Sequence, residues 1–105
     1  MKKKTNINTR TVKGLTKLCH SIAKEKGFWD KKRNVGEMLM LIVTELAEGM
    51  EAYRLQDKDN FNEEMADTFI RLFDLCGGLD IDIEKEIIKK MKHNKTRPYK
   101  HGKIC

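Results

Sequence analysis

The sequence predicts an all-α fold, a four-helix bundle in a single domain covering residues 1–105. Three observations carry that reading. The chain has one proline. Nowhere do apolar and polar residues alternate as a half-buried strand requires. Four stretches instead place apolar residues at helical spacing, separated by short polar or glycine-containing breaks, as antiparallel helices in a bundle require. A chain of 105 residues buries only a modest core, so oligomerisation would add to it.

The first helix is expected from about Thr9 to Lys26, with Leu15, Leu18, Cys19, Ile22 and Ala23 as its stripe and Gly27 as its stop. The segment FWDKKRN that follows is a loop and holds the only tryptophan. The second helix runs from about Val35 to Gln56 with Asn34 as N-cap. Leu39, Ile42, Val43, Leu46, Met50 and Tyr53 share one of its faces and are the candidate core. DKDN reads as a polar break. The third helix starts near Asn60 or Phe61 and ends at Gly77-Gly78, with Phe61, Met65, Phe69, Leu72 and Cys76 inward. The fourth starts after Asp82, repeats Ile83, Ile87 and Met91, and stops near Arg97 because Pro98 disfavours helix at the residue before it.

Charge is segregated along this scaffold. Residues 1–36 hold eleven Lys/Arg and two Asp/Glu; residues 37–86 hold four and fourteen; residues 87–105 hold seven and none. An acidic middle between basic ends (1–8 and 98–105 form basic tails) suits a site where cations and polyphosphate meet better than it suits a uniform DNA-binding face. Three cysteines without paired spacing point to a reduced, cytoplasmic setting rather than a disulfide framework. The basic N-terminus lacks the apolar run of a signal peptide. The longest apolar run, MLMLIV, is far too short to span a bilayer, so no membrane partner is expected. Neither Cys nor His shows zinc-ligand spacing.

Two acidic pairs stand out. Glu45 and Glu48 are three apart on the second helix, and Glu64 and Asp67 three apart on the third. Residues so spaced point the same way. Both pairs border apolar stripes, so antiparallel packing of the two helices would bring four carboxylates together. Such a cluster is repulsive unless a cation joins it, and Mg²⁺ takes oxygen ligands of this kind together with substrate phosphate. A His-containing di-iron site fits less well, since neither helix contains histidine. A solvated acidic face is the bland alternative. Near the C-terminus, Lys90, Asn94 and Arg97 fall on one side of the fourth helix, where a Lys, an amide and an Arg can hold phosphate oxygens. A plain basic helix end would show the same residues.

Taken in order, ELAE, EEMAD, GLDIDIEKEI and KMKHNKTR resemble the elements of the MazG-like, all-α nucleoside triphosphate pyrophosphohydrolases: an ExxE…ExxD set, the entry to the last helix, and a K-M-x-x-N-x-x-R element on it. GFWDKKRNVGEMLMLIVTELAE is similar to the family's approach to its first acidic pair. The likeness covers residues 9 to 102 and is that of the short, single-domain kind. Thr44 stands where many relatives carry a further Glu.

The resemblance implies a four-helix bundle of the MazG-like type and Mg²⁺-dependent conversion of (d)NTP to (d)NMP and pyrophosphate, with Mn²⁺ as a substitute. Glu45, Glu48, Glu64 and Asp67 would hold the metal, with Glu45 and Glu48 closest to the chemistry and Glu48 taking the proton of the attacking water. Lys90, Asn94 and Arg97 would hold phosphates. Trp29 would stack on the base, with Phe28 as second choice and Tyr99 lining the pocket; for Trp29 a plug between the first two helices is the structural alternative. Members of the family form homodimers or homotetramers. The competing reading is a small basic helical module that binds nucleic acid or an acidic partner without catalysis. That reading explains the net charge of +6 but not the acidic pairs.

Overall fold

A computed structural model describes residues 7–103. It contains four α-helices, α1 (Val12–Glu25), α2 (Val35–Arg54), α3 (Lys58–Gly78) and α4 (Ile83–Thr96), followed by a 3-10 turn at Tyr99–Gly102. There is no strand among the described residues. None of their helices is long and apolar enough to cross a membrane. The N-terminal basic tail falls largely in residues 1–6, and Cys105 at the other end; both lie outside the described residues.

Each helix begins on a side-chain cap. Thr11, Asn34, Asp57 and Asp82 accept from the backbone N–H groups of Gly14, Glu37, Asn60 and Lys85, which satisfies one otherwise unpaired donor at each start. Asp57 explains why α3 starts before Asn60: its carboxylate closes the first turn, so DKDN is a helix entry rather than a break. The first three helices end in the same motif. After α1, Phe28 N–H bonds to Ala23 C=O and Gly27 N–H to Lys24 C=O, with Gly27 at φ 88°. The same pair of bonds recurs around Gln56 and Asp80, both at positive φ without being glycine. Gly77 and Gly78 therefore do not terminate α3 by backbone freedom. They permit close approach: a Cβ on Gly77 would lie 2.7 Å from His20 Cβ, and one on Gly78 2.1 Å from the Trp29 ring.

The helices α2 and α3 form an antiparallel hairpin with only residues 55–57 between them. Glu45 faces Arg71, Gly49 faces Met65, and the Tyr53 ring meets the Phe61 ring at a tilt, with centroids 6.1 Å apart. Helix α1 packs on α3, and α4 meets the rest mainly through α1; Lys13 N–H bonds to Glu84 Oε1 there. Met38, Ile42 and Leu75 form the buried core, with Trp29 and Leu72 packed against it. Burying such side chains stabilises the fold by about 1.5–3 kcal/mol each, so this core is small. Helix α4 contributes no buried residue.

The buried face of α2 differs from the expected one. Met38, Ile42, Glu45, Gly49 and Ala52 face inward. Of the expected stripe, only Ile42 is buried; Leu39, Val43, Leu46, Met50 and Tyr53 are exposed by 47–68%. Phe69 on α3 and Met91 on α4 are likewise exposed. The physical reason is close packing. Gly49 and Ala52 let α3 approach α2 directly, and the more apolar stripe is rotated away from α3. The molecule measures 56 × 37 × 27 Å with a radius of gyration of 16.6 Å, against about 13 Å for a compact chain of this length.

Candidate functional site

The hairpin brings Glu45, Glu48 and Glu64 together, with one carboxylate oxygen of each within 4.8 Å of the others. Gly49 follows Glu48 on α2 at this contact: a Cβ there would stand 2.7 Å from Met65 Cε, the end of a flexible chain, and 3.6 Å, an ordinary contact distance, from Glu64 Cβ. Glu45 is buried, Glu64 half-buried and Glu48 exposed. Oε2 of Glu64 is shielded from solvent and has no donor.

Three carboxylates of one charge cannot all ionise freely at this separation. Glu64 bears the consequence: its carboxyl is pushed up to about 7, first by a hydrogen bond it makes to Glu45 when protonated, then by partial burial, then by Glu48. As carboxylates the three only accept. The cluster therefore calls for a proton or a cation at Glu64.

Part of the charge is met by Arg71, whose Nε donates to Glu45 Oε1 at 2.9 Å. Arg71 lies four residues after Asp67 and seven after Glu64, on the same face of α3. That spacing is visible in the sequence. Asp67 is not among the three converging glutamates. It lines a neighbouring cavity of about 330 Å³, together with Glu45, Arg71, Arg33, Phe28 and Cys19. A larger depression, about 680 Å³, lies at the α2–α3 turn around Tyr53 and Phe61, away from the acidic cluster.

The same cavity is lined by a residue that sequence reasoning missed. Asp74 is buried at 7% exposure. Its Oδ1 accepts from Trp29 Nε1 at 2.8 Å and lies 2.9 Å from His20 Nδ1. A carboxylate accepts only, so Nδ1 of His20 carries the proton. Its Oδ2 faces Arg33 NH1 at 3.4 Å. The Trp29 ring meets the His20 ring edge-on, with centroids 4.9 Å apart, and lies against Gly78. Trp29 is thus held among α1, α3 and Asp74, while Phe28 beside it is 63% exposed. No sequence spacing could have found Asp74; its partners lie 41 to 54 residues away.

The residues of the basic end stand elsewhere. Lys90 is exposed, and Asn94 is half-buried with a shielded, unpartnered Oδ1. Arg97 reaches the His101 carbonyl at 3.5 Å, and Tyr99 is 89% exposed. None of the four lines the cavity beside Glu45. The thiols of Cys19 and Cys76 are both pushed up by burial, Cys19 additionally by Asp74, which keeps them protonated and poor nucleophiles. No protein-family model, curated protein or solved structure matches the chain.

Proposed function

We propose that this chain is a Mg²⁺-dependent nucleotide pyrophosphohydrolase of the MazG-like kind, converting a nucleoside triphosphate to monophosphate and pyrophosphate. The observation that carries the reading is the meeting of Glu45, Glu48 and Glu64, with Oε2 of Glu64 shielded and unpartnered. All-oxygen, acidic and partly solvent-open, this donor set fits a hard divalent cation. Glu45, Glu48 and Glu64 would hold it, with Asp67 one turn along from Glu64. Bound there, Mg²⁺ (or Mn²⁺) supplies positive charge to phosphoryl oxygens and acidifies water.

The chain's own residues supply the rest. Glu48, the exposed member of the cluster, is the one free to take a proton from attacking water. Arg71 neutralises Glu45 and borders the cavity, where it can meet the charge that develops as the phosphate bond breaks. The exposed ring of Phe28 at the cavity wall offers a face to a base. Lys90, Asn94 and Arg97 enter this reading only as phosphate contacts made to a neighbouring subunit.

A second copy belongs to the proposal. The chain exposes 9054 Å², where a compact monomer of 12.3 kDa exposes about 6,100 Å². A full allowance for the eight terminal residues, about 1,400 Å², still leaves an excess of about 1,500 Å². An ordinary interface covers about 800 Å² per partner. The stripe Leu39, Val43, Leu46, Met50 and Tyr53 is the surface that a second copy would cover.

The test is release of pyrophosphate from each of the eight common (d)NTPs, with and without Mg²⁺, beside Glu64→Gln. Metal-dependent pyrophosphate and monophosphate, lost in the variant, is the expected result. Equal turnover in parent and variant would remove the glutamate cluster from the chemistry.

A further inference from the structure

Asp74 sits in an apolar run of α3 and is nearly sealed from water. A buried carboxylate costs several kcal/mol unless donors surround it. Here three donors come from two parts of the chain: His20 on α1, and Trp29 and Arg33 on the loop joining α1 to α2. One side chain of α3 thereby ties down Trp29 and Arg33, the second and last residues of the FWDKKR segment.

The segment's two cavity-facing side chains are Phe28 and Arg33. The guanidinium of Arg33 lies over both aromatic rings, 5.3 Å from the Trp29 centroid and 5.9 Å from that of Phe28. Its bond to Asp74 engages NH1 alone, and at 3.4 Å it is long. A guanidinium presents five donors in a rigid fork, so an arm remains for an incoming acceptor. Glu45, Asp67 and Arg71 line the same cavity. Arg71 is already committed to Glu45. Lys26 also lines the cavity, but Arg33 is the cation there whose planar fork is stacked on aromatic rings and so held in place for an anion entering beside the glutamates.

We infer that Arg33 binds the polyphosphate end of the cavity's ligand and that Asp74 is the positioning residue that holds Arg33, with Trp29 beside it, in place. This rests on the reading of the cavity as a nucleotide site and adds Arg33 and Asp74 to its residues.

The probe is tripolyphosphate, titrated into the full chain by calorimetry and by emission of Trp29, the only tryptophan. Titrations run with and without Mg²⁺, and variants are compared in whichever condition the parent binds more tightly. Arg33→Ala is expected to weaken binding at least tenfold. Arg33→Lys keeps the charge without the stacked fork and should fall between. Asp74→Asn should weaken binding three- to tenfold, shift Trp29 emission to the red before ligand is added, and raise KM for nucleotide while leaving kcat near the parent value. If Asp74→Asn does not fold, Trp29→Phe removes the same Nε1 bond, and calorimetry reads the effect. Unchanged binding in Arg33→Ala, or no tripolyphosphate binding by the parent at millimolar concentration, would overturn the inference. Unchanged binding in Asp74→Asn or its substitute would remove the positioning role. Arg33-dependent binding without turnover of any nucleotide would sink the hydrolase reading and keep Arg33. Turnover with Arg33-independent binding would do the reverse.

Discussion

Arg71 on α3 donates its Nε to Glu45 Oε1 on α2 at 2.9 Å, so the acidic cluster carries its own counterion. The pair is unequal: Glu45 is enclosed, whereas Arg71 is 40% exposed. Removing the arginine leaves an enclosed carboxylate beside two others with no donor on that oxygen. A hydrogen bond to a charged group contributes about 1.5–3 kcal/mol, and solvent around Arg71 brings this nearer to about 1 kcal/mol. Arg71→Met should therefore lower the thermal midpoint without metal by several degrees. Saturating Mg²⁺ should restore most of the loss, because a cation substitutes for the missing charge. A midpoint that falls equally with and without Mg²⁺ would mean that the metal does not reach Glu45.

Glu64 gives the metal-free protein an inverted acid profile. Its folded value of about 7 lies above the ordinary value of about 4.3 for an unfolded glutamate. Between those two values the folded chain binds more protons than the unfolded chain, so stability falls as pH rises. The stabilisation is fully present below the unfolded value and lost above the folded one. In EDTA, thermal midpoints should decline from pH 5 to pH 8, and Glu64→Gln should flatten that decline. Mg²⁺ binding at pH 6 should release protons, measurable as buffer-dependent heat in calorimetry. A midpoint that climbs over this range in EDTA would contradict a shared proton at Glu64.

The exposed stripe of α2 makes a separate prediction. Sedimentation of the parent chain should give a mass above 12.3 kDa. Val43→Glu or Leu46→Glu, placing a charge in the middle of that stripe, should weaken association at least tenfold, because an unpaired charge at an interface centre is costly. Both positions are about half exposed in the single chain, so the monomer should stay helical by circular dichroism. A monomeric parent would leave the stripe without a second copy.

The helices were legible in the sequence because caps and breaks are local. Asn34 and Asp82 announced two starts, and Pro98 announced the last stop. Asp57 was misread because the polar run after it looked like a break, although it caps the helix that contains that run. The inner face of α2 was not legible. Ranking residues by hydrophobicity selects Leu39, Val43 and Leu46, while the hairpin buries the face where glycine and alanine allow close approach. A stripe awaiting another surface has the same periodicity as a core. The acidic pairs were visible from their i, i+3 spacing, since each lies within one helix. Their surroundings were harder: Arg71 required reading α3 one turn further, and Asp74 draws on donors from α1 and from the loop after it, which no local pattern links to α3.

Glycines at two close contacts should respond differently to the same substitution. Alanine in a helix interior is favoured over glycine by about 1 kcal/mol. At Gly49 the added methyl meets Met65 Cε at 2.7 Å, the free end of a flexible chain that can turn aside. Gly49→Ala should therefore be within about 1 kcal/mol of the parent in stability. At Gly78 the methyl would fall 2.1 Å from the Trp29 ring. That ring is pinned by Asp74 on one edge and by His20 on its face or rim, so it has no nearby alternative. Gly78→Ala should cost about 1–3 kcal/mol and shift Trp29 emission to the red as the indole leaves its slot. Urea unfolding of the two variants side by side checks the contrast. Equal losses at both positions would show that the Trp29 slot is no tighter than the Met65 contact, and the anchoring of the loop by Asp74 would lose its structural basis.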